Sequence, residues 1–155
     1  MRLPYLSCAL ITVLSIVAPG CSSDGSSSSS TTAPTPALST DVLTGTVQPP
    51  IGSALQSSFN PFTVGQGGGS VQVTLTSAIE TFPDGSRQST VTMGLGIGTV
   101  TAGACALLQN AFTPAQGGSS PQLNGTLNAG GYCVQVSDVT NQLGPVAYAV
   151  AVTHP

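Results

Sequence analysis

The chain has 155 residues, room for one domain and a targeting segment, and it is poor in charge: two arginines, no lysine, five carboxylates and one histidine. A chain without lysine lacks the basic footprint that nucleic-acid binding needs, and so little charge excludes disorder driven by electrostatic repulsion. Ser, Thr, Gln, Asn, Gly and Val dominate beyond the first segment, which predicts a hydroxyl and amide surface and, with frequent Gly/Pro punctuation, an all-β class.

At the start of the chain Arg2 supplies a short positive region, and Leu3 to Val17 form an apolar run. The run is about fifteen residues long, short of the roughly 20 that a bilayer span needs and suited to the apolar region of a secretory signal. Ala18-Pro19-Gly20 then places small residues directly before Cys21. Residues 1–21 resemble a bacterial lipoprotein signal with its lipobox; Ala18 stands where that family usually has leucine, and Pro19 is not the commonest choice. The resemblance implies cleavage before Cys21 and acylation of its thiol and new amino group. Several acyl chains together anchor stably where one holds only marginally. Ser22, rather than aspartate, follows the cysteine, which in Gram-negative lipoproteins implies export to the outer membrane. The alternative is an ordinary secreted protein cut nearby, with Cys21 free.

Ser22 to about Leu38 is dominated by Ser, Thr and Pro, with a single charged residue, Asp24, and has no apolar periodicity, so it cannot bury enough surface to offset ordering entropy. A tether of this length spans about 20–25 Å as a coil and at most about 60 Å when extended.

From Asp41 the pattern becomes strand, turn, strand. "DVLTGTVQ" is stopped by Pro49-Pro50, and "SSFNPFTV" carries Pro61, a mark of an edge strand or bulge. After the "GQGGG" turn, "SVQVTLTS" alternates cleanly, with Val71, Val73 and Leu75 on one face. "FPDGSR" is a turn in which Pro83 presets φ and Gly85 permits positive φ. Glu80 and Arg87 flank it and are placed to pair across the hairpin. In "TVTMGLGIGTV" the glycines Gly94, Gly96 and Gly98 alternate with Met93, Leu95 and Ile97. A phosphate cradle needs a glycine loop leading into a helix; this alternation reads instead as a strand with one apolar and one bare face. "ACALLQNAF" reads as a further strand or a short irregular segment, "QLNGTL" follows, and then come "AGGYCVQVSDV" and "PVAYAVAVTH", both alternating. The expectation is about eight strands and no helix, arranged as an antiparallel two-sheet β-sandwich, jelly-roll-like.

The segment "LNAGGYCVQVSDVTNQLGPVAYAVAVTHP" resembles the end of a bacterial pre-peptidase C-terminal (PPC-like) domain, in which an Ala-Gly-x-Tyr turn and strand precede a final Tyr-x-(Val/Leu)-x-Val strand. The likeness is clearest over residues 123–153 and weaker over 57–100. It implies a small sandwich that accompanies other proteins outside the cell and is not itself catalytic. Some relatives bind calcium, but the acidic linker of those sites is not evident here.

Cys8 leaves with the signal and Cys21 is taken by lipid, leaving Cys105 and Cys133. Export permits a disulfide between them; two buried free thiols or a metal are the alternatives, and no CxxC pair with histidines supports a metal. His154 sits next to the last residue given, a poor place for a triad histidine. Glu80 and Asp84 could meet across their turn as paired carboxylates, but such flanking groups more often keep a surface solvated. Asp138 and Asn141 suit bonds to the backbone of the last turn. Asn124-Gly125-Thr126 matches a glycosylation sequon. Tyr132 and Tyr148 fall on apolar faces and read as core, whereas Phe82 beside its turn is the aromatic placed for exposure.

Residues 1–20 are therefore expected to be a signal peptide, 21–38 a lipidated tether and 39–155 the sandwich. The expected role is a membrane-anchored, non-enzymatic structural, adhesive or accessory one, with no cofactor and no nucleic acid. An extracellular glycan- or matrix-polymer-binding module is the alternative. The protein or glycan partner is not legible, and the membrane is met through lipid on Cys21.

Overall fold

The computed structural model describes residues 36–155; the expected signal segment and most of the expected tether, Cys21 included, lie outside the described residues. The nine strands are β1 (Ser39–Val47), β2 (Ser57–Val64), β3 (Gly69–Thr81), β4 (Arg87–Gln88), β5 (Met93–Thr101), β6 (Ala104–Ala115), β7 (Leu123–Leu127), β8 (Gly130–Ser137) and β9 (Val146–His154). All pair antiparallel, and no helix occurs among the described residues.

One sheet runs β1-β9-β3, with β7 and β4 both on the far edge of β3; the other runs β2-β8-β5-β6. Set β4 aside and the eight remaining strands form two four-stranded sheets, β1-β9-β3-β7 and β2-β8-β5-β6, which is the double Greek-key order of a jelly roll. The all-β sandwich expected from the alternating pattern is thus the fold. The ninth strand is the two-residue β4, which extends the hairpin beyond "FPDGSR" and is too short to leave a periodic signal.

The core lies between the sheets. Val71, Val73 and Leu75 of β3 and Val146, Val150 and Val152 of β9 face Met93, Leu95 and Ile97 of β5 and Val134 and Val136 of β8, all buried. Each such side chain stabilises the fold by about 1.5–3 kcal/mol. The alternation is interrupted once in β3, where the register shifts between Leu75 and Ser77. The extra residue lets Ala78 and Glu80, rather than Ser77 and Ile79, take the buried face afterwards.

The connections divide by length. At one end lie the short turns 65–68, 102–103 and 128–129; at the other lie 48–56, 82–86 with 89–92, 116–122 and 138–145. β1 enters and β9 leaves at the short-turn end, where Ser39 pairs with His154. The first of the short turns needs glycine: Gly68 has φ +67°, and a Cβ there would stand 2.4 Å from the Leu127 carbonyl oxygen. At the long-loop end, Gln142 Nε2 donates to the carbonyls of Val47 and Gly144 at 2.7 and 2.8 Å, and Asp138 N donates to Gln56 O at 3.0 Å. Those bonds fasten the β1–β2 and β8–β9 loops together.

Candidate functional site

Cys21, the residue expected to carry lipid, lies outside the described residues. Cys105 and Cys133 are joined in a disulfide, with Cα atoms 5.9 Å apart. In β8 Val134 and Val136 point into the core, so Cys133 belongs to the outer face of its sheet. Its partner across the ladder is Gly98 of β5. A Cβ on Gly98 would meet Cys105 Sγ at 2.9 Å and the Ala106 carbonyl oxygen at 2.3 Å. The bond therefore passes from β6 to β8 over the bare face of β5.

The other two glycines of "GLGIG" are covered in the same way. A Cβ on Gly94 would stand 2.6 Å from the Phe112 ring, and one on Gly96 2.6 Å from Leu107 Cδ2. The glycine strand is bare because β6 folds its large side chains across it. No helix follows, and nothing there cradles a phosphate.

The expected ion pair between Glu80 and Arg87 is not made. Arg87 stands opposite Thr81 and is exposed, whereas Glu80 is 2 % exposed and turns inward after the β3 bulge. Its Oε1 accepts from the backbone N–H of Leu143 and, at 2.8 Å, of Gly144. Glu80 is thus a buried clamp on the β8–β9 loop, not a solvated turn residue. Asp84 caps its own turn: Oδ1 accepts from Ser86 Oγ at 2.6 Å and Ser86 N at 2.8 Å. The Ser86 hydroxyl foremost, and its N–H next, hold the Asp84 carboxyl below its usual pKa. Asp138 Oδ1 accepts from Asn141 N at 3.3 Å, the turn role expected of it.

His154 is not frayed. It closes β9, is 5 % exposed, and its ring lies 5.6 Å from that of Phe62. Nε2 lies 3.0 Å from Asp41 Oδ2 and Nδ1 3.0 Å from the Pro155 carbonyl oxygen. Both ring nitrogens are engaged and neither meets a serine or threonine hydroxyl. The pair joins β1 to β9 and has the imidazole–carboxylate half of a triad without a nucleophile.

The aromatic expectation also changes. Tyr148 is buried as expected, and its Oη accepts from Asn60 Nδ2 at 2.9 Å and donates to Ser58 Oγ at 3.0 Å, linking the two sheets. Tyr132 is half-buried, 5.8 Å from the Phe62 ring. Phe82 is half-buried, and among the described residues the exposed aromatic is Phe112, at 45 %. Phe112 was missed because its face is set by the β5–β6 register, which no local pattern declares.

A cleft of about 320 Å³ opens between β6 and β7, the edges of the two sheets. It is lined by aliphatic Val71, Ile97 and Leu108 and by polar Asn110, Asn124 and Thr126, with no charged residue. Two backbone features create it. The β5–β6 register jumps from Gly96↔Phe112 to Gly98↔Leu107, so Leu108–Ala111 bow outward, with Asn110 at φ +60°. In β7, Gly125 supplies no side chain between Leu123 and Leu127, and a Cβ there would meet nothing within 4 Å. The sequence signal for either feature is slight: asparagine tolerates the left-handed region, and Asn124-Gly125 is a dipeptide more at home in a hairpin turn than inside a strand.

No protein-family model, curated protein or solved structure matches this chain. Among the described residues, no group of three or more His, Cys, Asp or Glu side chains is placed to hold a metal ion.

Proposed function

We propose that this chain is an exported lipoprotein of the bacterial cell envelope, held to its membrane by lipid on Cys21, with a sandwich that serves a structural, adhesive or accessory role rather than an enzymatic one. One observation carries this reading: the apolar run Leu3–Val17, the small residues ending in Gly20, Cys21 and a segment rich in Ser, Thr and Pro occur in that order. Two structural facts support it. Disulfides persist in oxidising compartments, and Cys105 and Cys133 satisfy each other, so Cys21 has no partner waiting in the domain. The lone histidine and the buried Glu80 are both committed to holding the fold. The likeness to PPC-like domains points the same way, toward a module that accompanies other proteins outside the cell. Ser22 directs the lipoprotein to the outer membrane if the cell has one.

Replacing Cys21 with serine tests the anchor. The wild-type chain should fractionate with membranes and carry the mass of a processed, acylated chain beginning at Cys21. The Cys21→Ser variant should lose both properties; membrane fractionation at unchanged mass would refute the reading.

A second reading is favoured by Phe112. An exposed ring is the kind of platform on which a sugar ring stacks, so the outer face of the β2-β8-β5-β6 sheet is the place for a glycan if one is bound. Saturable binding of the full chain to an envelope or matrix polysaccharide, lost in Phe112→Ala, would establish it.

A further inference from the structure

Every open sheet carries edges, and an edge with unpaired N–H and C=O groups is a template for another strand unless something blunts it. Most edges of this sandwich are blunted. β1 carries exposed Asp41, β2 carries Pro61, β6 carries Pro114 and its outward bow, and β4 has only two residues. β7 is different. Its five residues, Leu-Asn-Gly-Thr-Leu, contain no charge and no proline, and its pairing with β3 runs without a register shift. Its other side pairs with no strand among the described residues, because the cleft separates it from β6.

β7 is also nearly symmetric about its centre. Under an antiparallel two-fold at Gly125, Leu123 stands opposite Leu127 of a second copy, and Asn124 stands opposite Thr126. Residues on the same face must stay on the same face when strands pair, so the neighbouring allowed registers centre on Asn124 or Thr126. Each of those leaves part of β7 without its counterpart, whereas the register centred on Gly125 pairs all five residues. It brings leucine onto leucine on the inner face and amide onto hydroxyl on the outer face. Nothing of the chain's own covers the axis position, since a side chain at Gly125 would enter open space.

We propose that β7 is the surface through which two copies of this chain associate, their β7 strands pairing antiparallel about a two-fold axis at Gly125. The β1-β9-β3-β7 sheets of the two copies then run on as one continuous sheet. The arrangement is isologous, using one patch twice, as a closed dimer requires. It does not depend on the lipid anchor.

The test places two substitutions on the axis and one away from it, in the full chain solubilised in detergent. Gly125→Cys should form a reducible dimer under mild oxidation, because a residue on the axis faces its own copy at a Cβ separation of about 4.5–5.5 Å. Gln72→Cys, exposed on β3, should cross-link no more than the wild type. Gly125→Lys puts two like charges opposite each other across the axis. It should sediment as a monomer with an unchanged β-sheet spectrum and lose the concentration dependence of melting temperature that the wild type, which sediments as a dimer, shows. A wild-type chain that is monomeric throughout the micromolar range, a Gly125→Lys chain that remains dimeric, or equal cross-linking at Gly125→Cys and Gln72→Cys would each overturn the proposal.

Discussion

Gly98 lies directly under the sulfur of Cys105, so close that a methyl group on it would stand 2.9 Å from Sγ. The bareness of β5 and the disulfide over it are therefore one feature. Gly98→Ala should push β6 outward or prevent the bond, because the Ala106 carbonyl blocks the same space at 2.3 Å. In the purified protein both cysteines should become alkylatable without reductant, whereas in the wild type neither should. Reducing the wild-type bond opens a loop of 28 residues' separation and should lower stability by about 3.5 kcal/mol in the chain-entropy model. Urea unfolding with and without reductant measures it.

Gly45 and Tyr148 are cross-strand partners, and a Cβ on Gly45 would stand 2.4 Å from the Tyr148 hydroxyl. Gly45→Ala should displace the ring and break its bonds to Asn60 and Ser58, at a cost of about 1–3 kcal/mol. Tyr148→Phe leaves the ring in place and should cost less, about 0.5–1.5 kcal/mol. Thermal melts of the two variants rank them; a smaller loss for Gly45→Ala than for Tyr148→Phe would contradict the steric argument.

Glu80 and Arg87 should behave oppositely in mutation. Glu80→Ala strands the buried N–H of Gly144 and the part-buried N–H of Leu143 and should destabilise by about 1–3 kcal/mol. Glu80→Gln keeps an acceptor in place and should recover much of that. Arg87→Ala should stay within about 0.5 kcal/mol of the wild type. Chemical denaturation of the three variants decides whether the carboxylate acts on the loop or on the arginine.

Asp84 makes a prediction about pH. Its folded pKa lies below the unfolded value because of the Ser86 hydroxyl and N–H, so its contribution to stability is present above the unfolded pKa and lost as pH falls through the folded one. Ser86→Ala removes the larger cause. The Asp84 carboxyl should then titrate at higher pH, closer to an ordinary aspartate, as followed by carboxyl chemical shifts.

Strand identity was legible because period-two alternation is local: "SVQVTLTS", "GGYCVQVS" and "VAYAVAV" declare their inner faces without reference to any partner. The turn at "FPDGSR" was legible for the same reason, as its Phe82, Asp84 and Ser86 bonds all close within the segment. The roles of the few charged groups were not legible. Glu80 looks like a turn flank until a bulge four residues earlier rotates it inward, and His154 looks frayed until β1 pairs alongside it and brings Asp41 within reach.

By itself the sequence determined that this domain is built of strands and, for the cleanly alternating ones, which side faces inward, because those are properties of a residue and its near neighbours. It also carries the whole case for the proposed anchor at Cys21, which rests on the order of residues along the chain. The tertiary structure decided the jelly-roll order, the burial of Glu80 and His154, the exposure of Phe112, and the cleft and open edge beside Gly125. Each of these depends on which distant strand arrives next door, and no local pattern encodes that.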